Sequence, residues 1–253
     1  RVHLTSYFEE GKTDSDLFLC GANWYTENGF DLRVGVKATE IDRNEKCVHT
    51  DQGATLQYDY IVMAMGSSAF IPPVPGINKD GVFAYRTIED LDAIMAYAKN
   101  AKRAAVMGGG LLGLEAAKAV LDLGLEAHVV EFASRLMPRQ LDEIGASMLK
   151  SKIEAMGVDV HLSKQTMAVL GDDSMDSLLF AGGETLEVDM LVVSAGIRPR
   201  DELARTCGVK VGERGGVIVD NSMRTSDPNI LAIGEVALHD ETIFGLVGPG
   251  YRM

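Results

Sequence analysis

Six residues near the middle of the chain have the spacing of a phosphate-binding loop. Residues 108–113 read G-G-G-L-L-G, which is a G-x-G-x-x-G pattern. The pattern follows the apolar run Ala104–Met107 and precedes a helical pattern that extends from Leu111 to Leu123. A glycine loop between a strand and a helix is the context in which this motif binds the pyrophosphate of a dinucleotide. The sequence therefore predicts a dinucleotide-binding unit here.

Each glycine at the motif positions has its own physical reason. Gly108 permits a tight turn, Gly110 lets the backbone approach the pyrophosphate, and Gly113 lets the helix pack closely on the strand. The amides of Leu111 and Leu112 lie at the start of the helix. Free amides and the positive end of the helix dipole favour a phosphate there.

A carboxylate stands where such a unit reads the ribose. Glu131 ends the next apolar run, Ala127–Glu131, and lies 18 residues beyond Gly113. It would accept a hydrogen bond from a ribose 2′-hydroxyl and repel a 2′-phosphate, so NADH is favoured over NADPH. Arg135, four residues later, would soften this preference. Glu115, just inside the helix, either complements the helix dipole or faces the cofactor.

The elements around the loop alternate between strands and helices, which predicts an α/β protein with a mainly parallel sheet wound on both faces. A threonine hydroxyl and two acids at T-I-E-D (87–90) predict a helix start. The predicted helices are Ala22–Asn28, 111–123 and 144–156. A further helix is predicted to follow its start signal at residues 87–90. The predicted strands are Phe30–Val36, Ala38–Asp42, Lys46–Thr50, Thr55–Tyr58, Tyr60–Met65 (covered on both faces), Ala104–Met107, Ala127–Glu131, Val158–Leu162 and further strands within 165–193.

Composition and charge exclude two classes of protein. The chain is 46% hydrophobic and 24% charged, as in an ordinary globular protein. Its net charge of −13 argues against nucleic acid as a partner, because phosphate binding needs clustered Lys and Arg. The longest apolar runs, such as Ile61–Met65 and Met190–Val193, have the length of strands and are too short to cross a membrane.

The cysteines and histidines predict neither disulfides nor a metal site. Cys20, Cys47 and Cys207 lie far apart, which indicates reduced thiols and a cytoplasmic protein. No two histidines share the spacing of metal ligands along the chain. The histidines expected on the surface or in loops are His3, His49 and His239. Those expected to be packed or hydrogen-bonded on strands are His128 and His161.

Three further segments, together with the glycine loop, resemble the pyridine nucleotide-disulfide oxidoreductase superfamily. These segments are I-V-M-A-M-G (61–66), A-G-I-R-P (195–199) and T-S-D-P-N-I-L-A-I-G-E (225–235). The first resembles a strand that ends in Ala-Thr-Gly, with Met65 in place of threonine. The last resembles the terminal flavin motif, with Glu235 where aspartate is usual. The resemblance implies an NAD contact at Gly196 and FAD contacts at Arg1, Ala64, Met65, Gly66, Gly234 and Glu235.

Within the superfamily, the chain resembles the large subunits of assimilatory NAD(P)H nitrite reductases almost from end to end. The segments that carry this resemblance are residues 1–8, 85–94, 108–118, 136–142, 194–201 and 244–253. The resemblance implies NADH as hydride donor, FAD as acceptor, and iron–sulfur and siroheme domains of the same parent chain as electron acceptors. Hydride transfer needs positioning rather than an acid or base, so no catalytic residue is nominated.

The resemblance also implies the domain organisation. Two Rossmann-like domains of the three-layer ββα type are expected, and the FAD domain is split in sequence. The expected segments are 1–95 and 194–253 for FAD and 96–193 for NAD(H). The flavin domain's own glycine loop would precede Arg1, so that domain is expected to be truncated at its N-terminus.

Two other functions fit the sequence. One is a ferredoxin- or rubredoxin-reductase-like flavoprotein or an NADH oxidase. The other is a nucleotide-binding fragment that holds no flavin and turns nothing over. A yellow colour that NADH bleaches favours an enzyme, whereas a colourless protein that binds NADH favours the fragment.

Overall fold

A computed structural model describes Tyr7 and residues 14–243 of the chain. The helices in this part are α1 (Ala22–Glu27), α2 (Ile88–Ala98), α3 (Leu111–Asp122), α4 (Glu143–Ala155) and α5 (Glu202–Thr206). The strands are β1 (Ala38–Asp42), β2 (Cys47–Thr50), β3 (Thr55–Gln57), β4 (Ile61–Met63), β5 (Ser67–Ala69), β6 (Val82–Ala84), β7 (Arg103–Met107), β8 (Glu126–Val130), β9 (Val158–His161), β10 (Thr166–Leu170), β11 (Ser177–Phe180), β12 (Thr185–Glu187), β13 (Met190–Val193), β14 (Ile197–Pro199), β15 (Val217–Ile218), β16 (Ile230–Ala232), β17 (Ala237–His239) and β18 (Thr242–Ile243).

Contacts between residues divide the chain into two compact units. The central unit consists of Ala69–Gly196 with the described residues up to Leu17. The flanking unit consists of Phe18–Ser68 with the described residues from Ile197 onward. By contacts, therefore, residues 69–95 group with the segment that was expected to bind NAD(H).

The central unit is built on a parallel sheet of five strands in the order β6-β13-β7-β8-β9. On one face, buried side chains such as Val106 and Val129 pack with Ala116 and Val120 of α3. On the other face, Met107 and Val130 belong to a cluster that includes residues of the antiparallel strands β10 and β11. The predicted α/β class and the three-layer ββα arrangement are confirmed.

Local sequence signals set the ends of the helices in this unit. The hydroxyl of Thr87 accepts from the amide of Asp90, and the Asp90 carboxylate accepts from the amide of Thr87, which forms a capping box at the predicted start of α2. Both α3 and α4 end before a glycine with positive φ, Gly124 at 87° and Gly157 at 94°. The predicted helices 111–123 and 144–156 are confirmed.

The flanking unit combines small sheets around one core. Strands β1, β2 and β3 form an antiparallel meander, and β4 pairs in parallel with β16. Buried residues such as Met63, Ile230 and Val217 belong to the same cluster. The pairing of β4 with β16 joins two segments that are far apart in the sequence.

Two predictions in the flanking unit are wrong. Residues 30–36 form no strand, and Phe30, Leu32 and Val34 are exposed. The predicted strand Tyr60–Met65 is shorter, and only one of its faces is covered by the described residues. Met63 is buried, but the side chain of Val62 points away from the core and is 55% exposed.

Within residues 14–243, each helix falls short of the length and apolar character that a membrane crossing requires.

Candidate functional site

The carboxyl edge of the central sheet brings together three of the predicted site segments. Gly108 follows β7, Glu131 follows β8, and Gly196 comes shortly after β13. These three strands are neighbours in the order β13-β7-β8. Ligands of open parallel sheets bind outside the carboxyl ends of the strands, where the strand order reverses. The edge is therefore the candidate nucleotide site.

Close packing explains two glycines of the loop. Gly108 has a φ of 119°, and a Cβ atom at this position would collide with the carbonyl of Ser194. A Cβ atom at Gly113 would collide with the carbonyl of Gly108. The amide of Gly108 donates to the carbonyl of Val130 at 2.9 Å, which fixes the turn to the end of β8. The tight turn and the close approach of helix and strand are both present.

Gly110 has a different environment, because a Cβ atom there would meet no heavy atom within 4 Å. It is the N-cap of α3, it has an extended backbone with φ −84°, and it provides no side-chain cap. The amides of Leu111, Leu112 and Gly113 have no acceptor within the helix, as in the first turn of any α-helix. Open space beside free amides at a positive dipole end fits a pyrophosphate group.

Glu131 is hydrogen-bonded directly to the loop. Its Oε2 accepts from the amide of Gly109 at 2.6 Å, and its Oε1 accepts from the amide of Ala133 at 2.7 Å. The buried side chain of Leu136 packs beneath Gly109, and the amide of Met137 donates to the Gly109 carbonyl at 3.0 Å. Sequence spacing did not single out Leu136 or Ser194, because both act through contacts that only the fold creates.

The structure also locates Glu115 and Arg135. Glu115 lies beyond the first turn of α3, where the effect of the helix dipole has largely faded, so the dipole interpretation loses support. The guanidinium of Arg135 donates from Nη2 to the carbonyl of Pro138 at 3.3 Å, and the side chain is half-buried.

A second edge, in the flanking unit, collects the segments that the family resemblance assigns to FAD. Residues Ala64, Met65 and Gly66 follow β4, whereas Gly234 and Glu235 come just after β16. Because β4 and β16 are parallel neighbours, both segments lie at the same carboxyl edge. Arg1, also assigned to FAD, lies outside the described residues.

One hydrogen bond links the two halves of this edge. The Ser67 hydroxyl donates to Oε2 of Glu235 at 2.9 Å, and Ser67 is buried. A Cβ atom at Gly234, where φ is 70°, would meet nothing within 4 Å. The carboxylate and the open backbone beside it fit a polar, hydroxyl-bearing ligand such as a ribityl chain. Sequence reasoning missed Ser67, although it directly follows Gly66.

The same flavin motif is anchored to the turn between β1 and β2 by an ion pair that the sequence did not predict. Arg43 donates from Nε to Oδ2 of Asp227 at 2.6 Å, and the amide of Asn229 donates to Oδ1 at 2.9 Å. Burial alone would raise the pKa of Asp227, but the Asn229 amide and the Arg43 guanidinium outweigh it and lower the pKa below its ordinary value.

The cysteines offer no redox pair among the described residues. Cys20, Cys47 and Cys207 are all free thiols. Burial raises the pKa of both Cys47 and Cys207, so both thiols stay protonated at neutral pH. A thiolate relay therefore has no support in this part of the chain.

Two of the histidines meet in the central unit. His128 and His161 lie on the neighbouring strands β8 and β9, with Nδ1 and Nε2 at 3.3 Å from each other. The prediction that both are packed or hydrogen-bonded on strands is confirmed. Of the others, His49 is half-buried beside Thr55, His239 is half-buried beside Asn221, and His3 lies outside the described residues.

Comparison with known proteins gives consistent matches over the whole chain. Residues 2–250 match the family model described as pyridine nucleotide-disulphide oxidoreductase. The NAD(P)H nitrite reductase large subunit of Klebsiella oxytoca is 52% identical over 100% of this chain, and the NADH nitrite reductase large subunit of Escherichia coli is 50% identical over 100%. The chain spans only 26% and 30% of the lengths of these two relatives.

Solved structures share the fold. A ferredoxin reductase from Rhodopseudomonas palustris superposes with a TM-score of 0.90 at 27% identity, over 95% of this chain and 59% of that one.

Proposed function

Because the chain belongs to the pyridine nucleotide-disulphide oxidoreductase family, we propose that it is the NADH- and FAD-binding electron-input module of a nitrite reductase. The observation that carries the nucleotide half of this proposal is the contact between Gly109 and Glu131. It holds the Glu131 carboxylate against the loop that has open space at Gly110, which supports a ribose-reading role for the carboxylate and a pyrophosphate site at the loop.

The residues of the central unit bind and orient the nucleotide in this proposal. The amides of Leu111, Leu112 and Gly113 hold the pyrophosphate, and Glu131 accepts from the ribose 2′-hydroxyl. Gly196, on the same edge, leaves room for the remainder of the dinucleotide, since a Cβ atom there would meet nothing within 4 Å. The carboxylate of Glu131 disfavours a 2′-phosphate, so NADH is the preferred donor and NADPH the poorer one.

The residues of the flanking unit hold the flavin. Glu235, oriented by Ser67, accepts from a ribityl hydroxyl, and Ala64, Met65 and Gly66 provide backbone beside it. When bound, FAD would supply the hydride acceptor and would allow electrons to leave one at a time. The protein needs no acid or base for this chemistry, and its contribution is binding and orientation.

The electron acceptors in this proposal are iron–sulfur and siroheme domains of the same parent chain. The support is the 50–52% identity to nitrite reductase large subunits that are three to four times longer than this chain. The free cysteines agree with a cytoplasmic location and with electrons that leave the flavin without a thiol relay.

An absorbance scan with anaerobic titration tests the proposal. We expect a flavin spectrum that NADH bleaches at lower concentrations than NADPH. A yellow protein that neither nucleotide bleaches would contradict the nicotinamide assignment. A colourless protein that binds NADH by calorimetry would contradict the FAD assignment and leave a nucleotide-binding fragment.

A second candidate, electron delivery to a separate small iron–sulfur protein, is favoured by the superposition on a ferredoxin reductase. The two candidates differ in which electron acceptor reoxidises the NADH-reduced flavin. Rapid reoxidation by an added ferredoxin or rubredoxin, at rates above those with the parent chain's own downstream domains, would favour the second.

A further inference from the structure

The main chain of Glu131 is held by the end of the edge strand β9 and the residues that follow it. The Glu131 amide donates to the carbonyl of His161 at 2.9 Å, and the Glu131 carbonyl accepts from the amide of Lys164 at 2.9 Å. Between these two, the amide of Ser163 donates to the carbonyl of Ala133 at 2.9 Å. Both backbone groups of Glu131 therefore depend on where this segment lies, and so does the direction of its carboxylate.

The ring of His161 fastens this end of β9 to the neighbouring strand β8. Its Nε2 lies 3.3 Å from Nδ1 of His128, so one ring donates an N–H to the lone pair of the other. His128 is buried, with 5% of the residue exposed, whereas His161 is half-buried. The buried ring is therefore the fixed partner, and the ring of His161 is the one that can move.

The charged groups that surround the two rings come from several elements. Burial lowers the pKa of His161 below its ordinary value, and the nearness of His128 lowers it further. The carboxylates of Asp159 and Glu184 oppose this effect without reversing it. At neutral pH the ring of His161 is therefore neutral and can share an N–H with its partner. The charged groups are Glu126 on β8, Asp159 on β9, Lys164 after β9, Glu184 in the turn before β12, and Arg103 on β7, which pairs with Glu187 of β12.

Only one of the two rings can carry an added proton while their contact lasts. A neutral imidazole has one donor nitrogen and one acceptor nitrogen, whereas both nitrogens of an imidazolium are donors. Two imidazolium rings would therefore place two donors and two positive charges 3.3 Å apart, with no acceptor between them. Because such a pair titrates as a coupled unit, the second proton binds only when the rings separate.

We propose that His161 is a positioning residue for the nucleotide site, which holds Glu131 in place while the two rings share a proton and releases it when both rings are protonated. Separation of the rings moves His161, and the carbonyl that accepts from the Glu131 amide belongs to the same residue. Nucleotide affinity then falls in mildly acid solution, where histidine is the side chain that ordinarily changes charge. This inference rests on the proposed nucleotide site, because it concerns the residue that reads the ribose there.

The test measures the affinity for NAD⁺ by calorimetry from about pH 7.5 to about pH 5, the range in which histidine titrates. NAD⁺ contains the same ADP-ribose half as NADH and, unlike NADH, is stable in acid. We expect the native protein to lose affinity about three- to tenfold over this range, which is the effect of one hydrogen bond between neutral groups.

The variant His161→Gln separates the contact made by the ring from the charge it can acquire. The glutamine amide reaches about as far as Nε2 of histidine, so it can still contact His128, but it does not titrate. We expect native affinity at neutral pH and a nearly flat pH profile. His161→Ala makes no such contact and should bind NAD⁺ about three- to tenfold more weakly at neutral pH. His239→Gln removes a histidine of the flanking unit and should keep the native profile.

Hydrogen exchange at single amides follows the same event without any nucleotide. The protection factor of the Glu131 amide, which donates to His161, should fall on acidification in the native protein and stay constant in His161→Gln. The amide of Gly108 donates to the carbonyl of Val130 at 2.9 Å, in the same unit but away from the ring pair. It is the control amide and should keep its protection in both proteins.

Two results would overturn the proposal. If His161→Gln loses affinity in acid as the native protein does, another group carries the pH dependence. If the native protein binds NAD⁺ equally well at both ends of the range, the contact between the rings is packing alone. A native protein that binds no NAD⁺ at any pH would instead contradict the proposed nucleotide site. Exchange at Glu131 that is the same in the native protein and the variant would then overturn this inference as well.

Discussion

The amide of Gly109 donates to Oε2 of Glu131 at 2.6 Å, so the glycine loop and the neighbouring strand tip are hydrogen-bonded to each other. The second carboxylate oxygen is held by the amide of Ala133 at 2.7 Å. An ionised carboxylate has about four acceptor positions, so these two bonds leave capacity for a ribose hydroxyl. Glu131 therefore holds the loop, and in the proposed function it also reads the sugar, so its substitution should affect both.

Replacing Glu131 with alanine should weaken NADH binding more than NADPH binding. A hydrogen bond to a charged group contributes about 1.5–3 kcal/mol, so we expect NADH to bind about 10–100-fold more weakly. The loss for NADPH should be smaller, because the same substitution removes a repulsion of the 2′-phosphate. Calorimetry with both nucleotides measures the difference.

The matched control for Glu131 is Glu187→Ala, which removes an exposed glutamate at the end of another strand of the central unit and should change neither affinity. Equal losses for NADH and NADPH in the Glu131 variant would mean that the carboxylate acts only by holding Gly109 and does not contact the ribose.

Gly110→Val should abolish NADH binding while the protein stays folded. The backbone of Gly110 is extended and a Cβ atom meets nothing within 4 Å, so valine causes no strain in the protein itself. Its side chain would instead fill the space where the pyrophosphate approaches the backbone. The measurement is NADH affinity beside thermal unfolding, with an expected affinity loss of more than tenfold and an unchanged Tm.

Gly21→Val is the matched control for this variant. Gly21 is also the N-cap of a helix, has φ −63° and has open space around a Cβ atom. It should leave NADH affinity unchanged. If Gly110→Val binds NADH as the native protein does, the pyrophosphate does not lie against this loop.

Glu235→Ala should lower the affinity for FAD about 10–100-fold, because it removes a charged acceptor worth about 1.5–3 kcal/mol. Glu235→Asp keeps a carboxylate, although a shorter one, and should retain most of the flavin. Glu213→Ala, an exposed acid in the same unit, should retain all of it. Flavin absorbance per chain after FAD addition and desalting is the measurement. Full flavin content in Glu235→Ala would contradict the proposed role.

Local sequence patterns were sufficient to predict the strand, loop and helix of the candidate nucleotide site. Strand, glycine loop, helix and Glu131 follow each other within about 30 residues, the length of a βαβ unit, so turn chemistry and spacing along the chain decide their positions. The capping residues of α2 and the glycine ends of α3 and α4 are equally local. Such features depend on neighbours in sequence, which a single sequence displays.

The failures lie where partners come from elsewhere in the chain. Phe30, Leu32 and Val34 alternate with polar residues as in a strand, but the described residues supply no neighbouring strand, and all three side chains are exposed. His128 and His161 share no ligand spacing along the chain, yet the pairing of β8 with β9 brings their rings together. In both cases the outcome depends on which strands pair, and the alternation of residue types along the chain does not predict that pairing.

The ion pair between Arg43 and Asp227 should make the stability of the protein fall at acid pH. The pKa of Asp227 is lower in the folded protein than in the unfolded chain, because the Asn229 amide and the Arg43 guanidinium outweigh burial. The stability that the Asp227 carboxylate contributes is therefore fully present above its unfolded pKa of about 3.9. This stability is lost as the pH falls through the lower pKa of the folded protein.

Asp227→Asn isolates this contribution to stability. At neutral pH it should lower the free energy of unfolding by about 1.5–3 kcal/mol, because the carboxylate side chain is only 13% exposed and accepts from Arg43 and Asn229. The difference from the native protein should shrink as the pH approaches the folded pKa, where the native carboxyl is itself protonated. Asp31→Asn breaks an ion pair in which the side chain of Asp31 is 72% exposed and that of Arg33 is 42% exposed. This substitution should leave the free energy of unfolding almost unchanged. Urea unfolding between neutral and acid pH measures all three proteins. A difference between native protein and Asp227→Asn that stays constant with pH would show that the carboxylate's charge is not what stabilises this motif.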